Sequence, residues 1–288
     1  MFVIIGLVIV VVGVFGGYIA QGGQMAIMFQ PFEVVIIGGA ALGAFIAGNP
    51  KVVVTRAFGA FSALFKGSRY DKKHYLELLG LLFTIFKLLR TKGALALEPH
   101  IEKPEESALF QQFPMFHKDH HATEFLCDYL RLMTLGTDSP HVMDELMTQE
   151  IETHHEEQHQ ITHALQNVAD GLPALGIVAA VMGVIKTMTH ITEGPEVLGG
   201  LIAAALVGTF LGVLMAYGFV GPTVNALKAT YDAEAKYLGC MKAGLLAHMH
   251  GYAPQVSVEF ARKALLSNVR PDFYEVEQAC AELPPAPA

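Results

Sequence analysis

The sequence predicts an all-α integral membrane protein: four transmembrane helices, plus a helical cytoplasmic domain built from the loop between spans two and three and from the C-terminal tail. Three observations predict it. Of 288 residues, 52% are hydrophobic and only 16% charged, against roughly 25% charged in an average soluble domain. The apolar excess falls into four blocks, residues 2–20, 32–48, 172–188 and 199–221, each near the roughly 20-residue length that crosses a bilayer. The basic residues are segregated: of 19 Lys and Arg, 12 lie within residues 51–131 and six follow Pro222. By the positive-inside rule the long loop and the tail are cytoplasmic and both termini are inside, as four spans require.

Span one (residues 2–20) carries β-branched residues around most of its circumference, so one side faces lipid. No basic segment precedes it and Gly16-Gly17-Tyr18 is a poor cleavage site, so a retained span is expected rather than a signal peptide. An uncharged outer loop leads to Pro31, where span two begins, with Glu33 at its end and Gly39, Gly43 and Ala47 at four-residue spacing. Such a small-residue stripe lets another helix approach closely. Asn49-Pro50 ends it and closes the first segment, 1–50.

Residues 51–170 form the mixed-charge helical loop. The spacing predicts an amphipathic helix over 75–89 with Leu78, Leu79, Leu82, Phe86 and Leu89 as its buried stripe. Gly93 punctuates it, a short helix over 95–101 follows, and Pro104 ends that. Helices over 123–135 and 139–153 come next, the latter starting at Ser139-Pro140 with Asp138 just before. The third and fourth spans occupy 171–222. In the tail, 223–288, helical pattern continues past Pro222 to about residue 250, and two short helices close the chain over 256–267 and 271–281. There is no strand alternation, no internal repeat, and no low-complexity tract except the final Pro-Pro-Ala-Pro-Ala.

The hairpin of spans three and four holds the candidate chemistry. Pro173 enters the first arm and Pro222 leaves the second, at the same membrane face. Ala204, Gly208, Gly212 and Ala216 recur every four residues, which predicts close helix packing. Near mid-depth stand Ala179, Ala180 and Thr209, the one deep hydroxyl of span four. That hydroxyl either lines an ion path or simply bonds a carbonyl one turn back, as Thr commonly does in membrane helices. No Asp, Glu or His lies at the centre of any span, although cation and proton paths normally need an ionisable group at depth. Either the chain conducts nothing or a partner supplies the carboxylate.

A second motif competes. His155-Glu156-Glu157-Gln158-His159 matches the H-E-x-x-H pattern of zinc proteases, in which His155 and His159 would hold the metal and Glu156 would act as base. The surrounding run is polar throughout, whereas a catalytic zinc helix needs an apolar face, so a solvated cytoplasmic helix is the better reading. No metal or cofactor is expected. Cys127, Cys240 and Cys280 have neither pairing nor metal spacing and suit a reducing compartment. The net charge of −8 argues against nucleic acid as a partner. Arg90, Lys92, Glu98, Glu102 and Glu150 fall on or beside amphipathic helices, either as a solvated face or as a docking surface for a charged partner.

Over nearly its full length the chain resembles the MotA family of flagellar motor stator subunits. The residues that carry this are VFGGYI in span one, QPFEVVIIGGAALGAFIAGN in span two, DGLPALGIVAAVMGVI in span three, VGTFLGVLMAYGFVGP in span four and HGYAPQVSVEFARKAL near the end. The resemblance implies a non-enzymatic, proton-conducting stator subunit, five copies surrounding two of a MotB-type peptidoglycan-binding subunit in the membrane lipid. That partner would bring the missing aspartate. It also implies that Ala180 and Thr209 lie on the ion path, that Pro173 and Pro222 couple ion passage to motion, and that Arg90, Glu98 and Glu150 engage the rotor's switch-complex protein. Sodium-type relatives often carry a hydroxyl where this chain has Ala180, which implies a proton. Lys186 and the histidine-rich 150–163 segment depart from the family pattern. An ExbB- or TolQ-like energiser of outer-membrane processes is the related alternative; such proteins usually have three spans.

Overall fold

The computed structural model describes residues 2–64, 70–137 and 139–284, with 61–64 as backbone only. The Asp138 expected before a helix start and the last four residues of the Pro/Ala tail lie outside the described residues. Every regular element described is helical. In chain order they are α1 (Phe2–Ala20), α2 (Met25–Met28), α3 (Pro31–Gly48), α4 (Lys51–Leu64) and α5 (Lys72–Lys92), a 3-10 turn (Ala94–Leu97), then α6 (Glu98–Glu102), α7 (Ala108–Gln111), α8 (Pro114–His117) and α9 (His120–Thr134). There follow α10 (Pro140–Met188), α11 (Pro195–Leu214), a π-helical stretch (Met215–Val220), α12 (Gly221–Met249), α13 (Pro254–Lys263) and α14 (Phe273–Ala281).

Two compact units result, one from residues 1–67 with 157–230, the other from 68–156 with 231–288. Helices α10 and α12 each contribute to both. Among the described residues, four helical stretches are long and apolar enough to cross a membrane: Phe2–Ala20, Met25–Gly48, Pro140–Met188 and Pro195–Met249.

In the first unit, α3 packs its Ile37 and Ala41 against Leu172 and Ala179 of α10 and Ala216 of the π stretch, with Leu175 and Leu211 around them. Helix α1 sits beside α11, where Phe15 meets Phe210 edge-on at 6.2 Å. Its other side is bare: Phe2, Ile9 and Val12 are at least 64% exposed. A continuous apolar surface of that kind is stable only against lipid or other protein.

The second unit has an ordinary aqueous core. Leu78, Leu79, Leu82 and Phe86 of α5 are fully buried, as their spacing predicts, and Leu89 packs at the edge. They meet Tyr237, Met241 and Leu245 of α12 and Val258 and Ala261 of α13. Asp71 caps α5 by accepting from the backbone of Lys73 and His74. Gly93 ends it with φ +80°, a backbone value that suits only glycine comfortably.

Two expectations are revised. The helix expected over 139–153 and span three are one helix of 49 residues. And α7 and α8, single turns, were not legible.

Candidate functional site

The hairpin of α10 and α11 closes to backbone contact. A Cβ added at Gly212 would stand 2.6 Å from the Leu172 carbonyl oxygen and 2.7 Å from Gly176 Cα; one at Gly183 would stand 2.7 Å from Ala205 Cβ. The buried line on α11 is Ala205, Gly208 and Gly212, continued by Ala216; Ala204, expected on it, is only half-buried and Ala205 takes its place. Only glycine and alanine, with no side chain or a single methyl, allow two helices this near.

The same register brings Ala180 opposite Gly208, where an added Cβ would meet Ala180 N at 3.0 Å and Ala179 Cβ at 3.1 Å. Ala180 and Thr209 therefore share one level, both half-buried. Thr187 and Thr223 spend their hydroxyls on carbonyls four residues back, Gly183 at 2.9 Å and Phe219 at 2.6 Å. Thr209 makes no hydrogen bond among the described residues. Its hydroxyl is left for something else.

Glu33 is the residue that sequence reasoning placed too far out. Its side chain lies along the glycine face: Oε2 is 2.8 Å from where a Gly208 Cβ would be, and Oε1 is 3.7 Å from the Gly183 position. Oε2 is buried with no hydrogen-bond partner. The signal was available only in part, as an acid near the start of a span facing a glycine-rich hairpin.

The two prolines lie towards the same end of the hairpin but not at the same depth. Gly176 faces Gly212, so Pro173 comes level with Met215. Pro222 lies seven residues further (215 to 222), roughly 10 Å along a helix. The π-helical stretch Met215–Val220 fills that interval, and Gly221 N–H donates to the Ala216 carbonyl five residues back. Pro222 has no N–H and its ring crowds the carbonyl four back, and a wider turn just before it absorbs that conflict. Pro173 sits inside α10, where it removes one bond of the helix ladder.

In the second unit Arg90 and Glu98 are exposed on either side of the Gly93 corner, with Leu95 75% exposed between them. Neither has an ion-pair partner among the described residues. Glu150 is different: it accepts from the Tyr129 hydroxyl at 2.5 Å and is half-buried. Burial, and then that bond, push the Tyr129 pKa up. Behind Arg90, His248 stacks on Phe86 with centroids 4.8 Å apart and planes 8° off parallel. Burial, and then the Arg90 charge, push the His248 pKa down.

The H-E-x-x-H histidines do not converge. His155 Nε2 lies 4.0 Å from Asp232, while His159 is exposed and stacks on His163 at 6.1 Å. Among the described residues no group of three or more His, Cys, Asp or Glu could hold a metal.

Spans packed through glycine, with a free hydroxyl and a carboxylate against the packed face, define a multi-pass membrane protein of the channel-subunit class. Comparison with known proteins makes the class specific. The family described as motility protein A N-terminal matches residues 4–93, and the MotA/TolQ/ExbB proton channel family matches 117–239. The chain is 42% identical to motility protein A of Salmonella typhimurium over 278 residues, 96% of this chain and 94% of that one. It is 36% identical to chemotaxis protein LafT of Vibrio parahaemolyticus, over 96% and 98% of the two chains. The solved flagellar MotAB stator complex from Bacillus subtilis contains a chain that superposes with a TM-score of 0.73 at 25% identity, over 89% of this chain and 92% of that one. A C. jejuni MotAB chain superposes with 0.78 at 22% identity, over 92% and 96%, and shares the fold. This chain belongs to the motility protein A family, the proton-channel subunits of the flagellar stator.

Proposed function

We propose that this chain forms half of a proton path, the other half being a membrane aspartate on a MotB-type, peptidoglycan-binding subunit. The observation that carries the reading is the Thr209 hydroxyl, which makes no hydrogen bond among the described residues and stands at the level of Ala180, where the chain's own nearby acid is Glu33, reaching in from the start of α3. A hydroxyl there can exchange a proton with an incoming carboxylate. A sodium ion stripped of water needs several oxygen ligands, and Ala180 offers none, which favours the proton. Glu33 extends the polar path along the glycine face from that level. Five copies around two partner subunits in the inner membrane, with both termini cytoplasmic, is the assembly that the resemblance supports.

Pro173 and Pro222 bracket the π-helical stretch, and a widened turn between two ladder breaks is where the helix can yield as the aspartate changes charge. Motion there is read out by the rotor's switch-complex protein at Arg90 and Glu98. Glu150, bonded to Tyr129, would act by holding α9 to α10 rather than by direct docking. No step calls for enzymatic catalysis.

Cysteine pairs test the placement. Thr209→Cys and Ala180→Cys are each expected to cross-link to cysteines beside the partner's aspartate, while Val213→Cys, on an exposed face of α11, is not. Persistent failure at both positions, with assembly intact, would sink the reading.

A further inference from the structure

Two histidines outside the H-E-x-x-H motif do what its own members do not. His121, in the first turn of α9, and His154, on α10, bring their Nε2 atoms within 3.2 Å. The rings are inclined at 60°, and their centroids are 4.4 Å apart, farther than the nitrogens. The two ring axes therefore converge on the nitrogen side. Both residues are half-buried, so an ion can reach them from solvent. The position is structurally defined: Asp119 caps α9 by accepting from Ala122 N, and the Tyr129–Glu150 bond joins the same two helices farther along.

From this geometry we infer that His121 and His154 form a two-histidine site for a divalent transition-metal ion of the zinc class, clipping α9 to α10. Zinc holds imidazole nitrogens at about 2.0–2.1 Å, so two of them at a near-tetrahedral angle are separated by roughly 3.3 Å. The observed pair already spans one edge of that tetrahedron. Neutral imidazole binds zinc, nickel and copper in preference to magnesium or calcium, with copper(II) the strongest. Among the described residues the pair belongs to no cluster of three or more His, Cys, Asp or Glu side chains, so the two imidazoles would be the site's anchoring ligands, with water or a ligand from another molecule free to fill the remaining positions. The bound ion would replace a hydrogen bond between two rings, which needs one shared proton, with two coordinate bonds that need none. It would stiffen the seam that Glu150 already fastens.

The sequence hides the pair well. Each member belongs to a His-His dipeptide, at 120–121 and 154–155, and the regular motif starts one residue later. The cysteines complicate a zinc titration little, because Cys127 and Cys240 are buried and only Cys280 is partly accessible.

The test uses the full chain purified in detergent, titrated with zinc against a chromophoric chelator. The variants are His121→Gln, His154→Gln, the double substitution, and a His159→Gln/His163→Gln control. Each single substitution at the pair is expected to weaken the tightest zinc equivalent at least tenfold, with the double no weaker than either single. The control should match wild type. Zinc should raise the melting temperature of wild type and control but of neither pair variant. His121→Gln, at a half-exposed first-turn position, guards against misfolding as the cause; its metal-free melting temperature should equal that of wild type. Equal zinc affinity in wild type and the double variant, or a loss confined to the control, would overturn the site.

Discussion

Glu33 stands third in its helix, after Pro31 and Phe32, and in a linear reading it is an acid favoured at an N-terminus by the helix dipole. The fold gives it a second context. Its Oε2 is shut against Gly208 without a hydrogen bond, and leaving a buried polar atom unsatisfied costs about 1–3 kcal/mol, more for a charge. A proton, a water or a partner group must complete it for that cost to be recovered, and each of these belongs on an ion path. Glu33→Gln keeps the shape and removes the exchangeable proton. Swimming speed is therefore expected to fall several-fold while the stator complex elutes as wild type. Unchanged speed would remove Glu33 from the path. Thr209 was legible as a lone deep hydroxyl, but whether it bonded its own helix was not. That depends on rotamer and packing, which a one-dimensional pattern does not contain. Glu33's partners lie some 150 residues downstream, beyond any local signal.

Among elements, the helices that announce themselves do so by periodicity and punctuation. The apolar stripe of α5, its Asp71 cap and its Gly93 stop all stand where residue chemistry requires. Polar composition gives way to apolar near Leu172, which predicts a break where α10 runs on. Yet residues 141–170 contain no Pro or Gly, and a helix continues wherever its backbone permits, whatever solvent surrounds it. The single turns α7 and α8 are too short to stand by propensity, and packing supplies their stability. The end of α12 carries a consequence for pH. Folding holds His248 against Phe86 with its pKa lowered, so the unfolded chain takes up a proton first, near the ordinary histidine value of 6.5. Stability from this group is complete above that pH and declines as pH falls below it, until the folded histidine also titrates. His100, whose pKa burial also lowers, adds to the slope. His248→Phe retains the stack and removes the proton. Wild type is expected to melt lower at pH 5.5 than at pH 7.5, and the variant to narrow that gap by a few degrees. An unaltered gap would show that His248 does not titrate on unfolding.

At the scale of the molecule, the division of labour was legible from charge and hydropathy alone: apolar blocks for one unit, segregated basic residues for the other. What sequence could not separate was a charge used within the chain from a charge left over. Glu150 and Arg90 look alike in composition, but Glu150 is bonded to Tyr129 and Arg90 is exposed without an ion-pair partner among the described residues. An exposed basic residue in the last turn of α5 does favour that helix end, by about 0.3–1 kcal/mol through the helix dipole. A loss of that size is too small to unfold a domain with ~5–15 kcal/mol of stability. Charge reversal at Arg90 therefore separates structure from docking. Arg90→Glu is expected to leave expression, assembly and melting temperature nearly unchanged. If the Gly93 corner meets an acidic patch on the rotor's switch-complex protein, motility should drop severely and return when the rotor charge is reversed as well. Glu98→Lys should behave in the same way towards a basic rotor residue. Because exposed charges are screened beyond roughly 8 Å at physiological salt, rescue should be confined to rotor positions close to the corner. Full motility in Arg90→Glu at low expression, where few stators engage and weak docking is not masked, would remove the corner from the rotor interface.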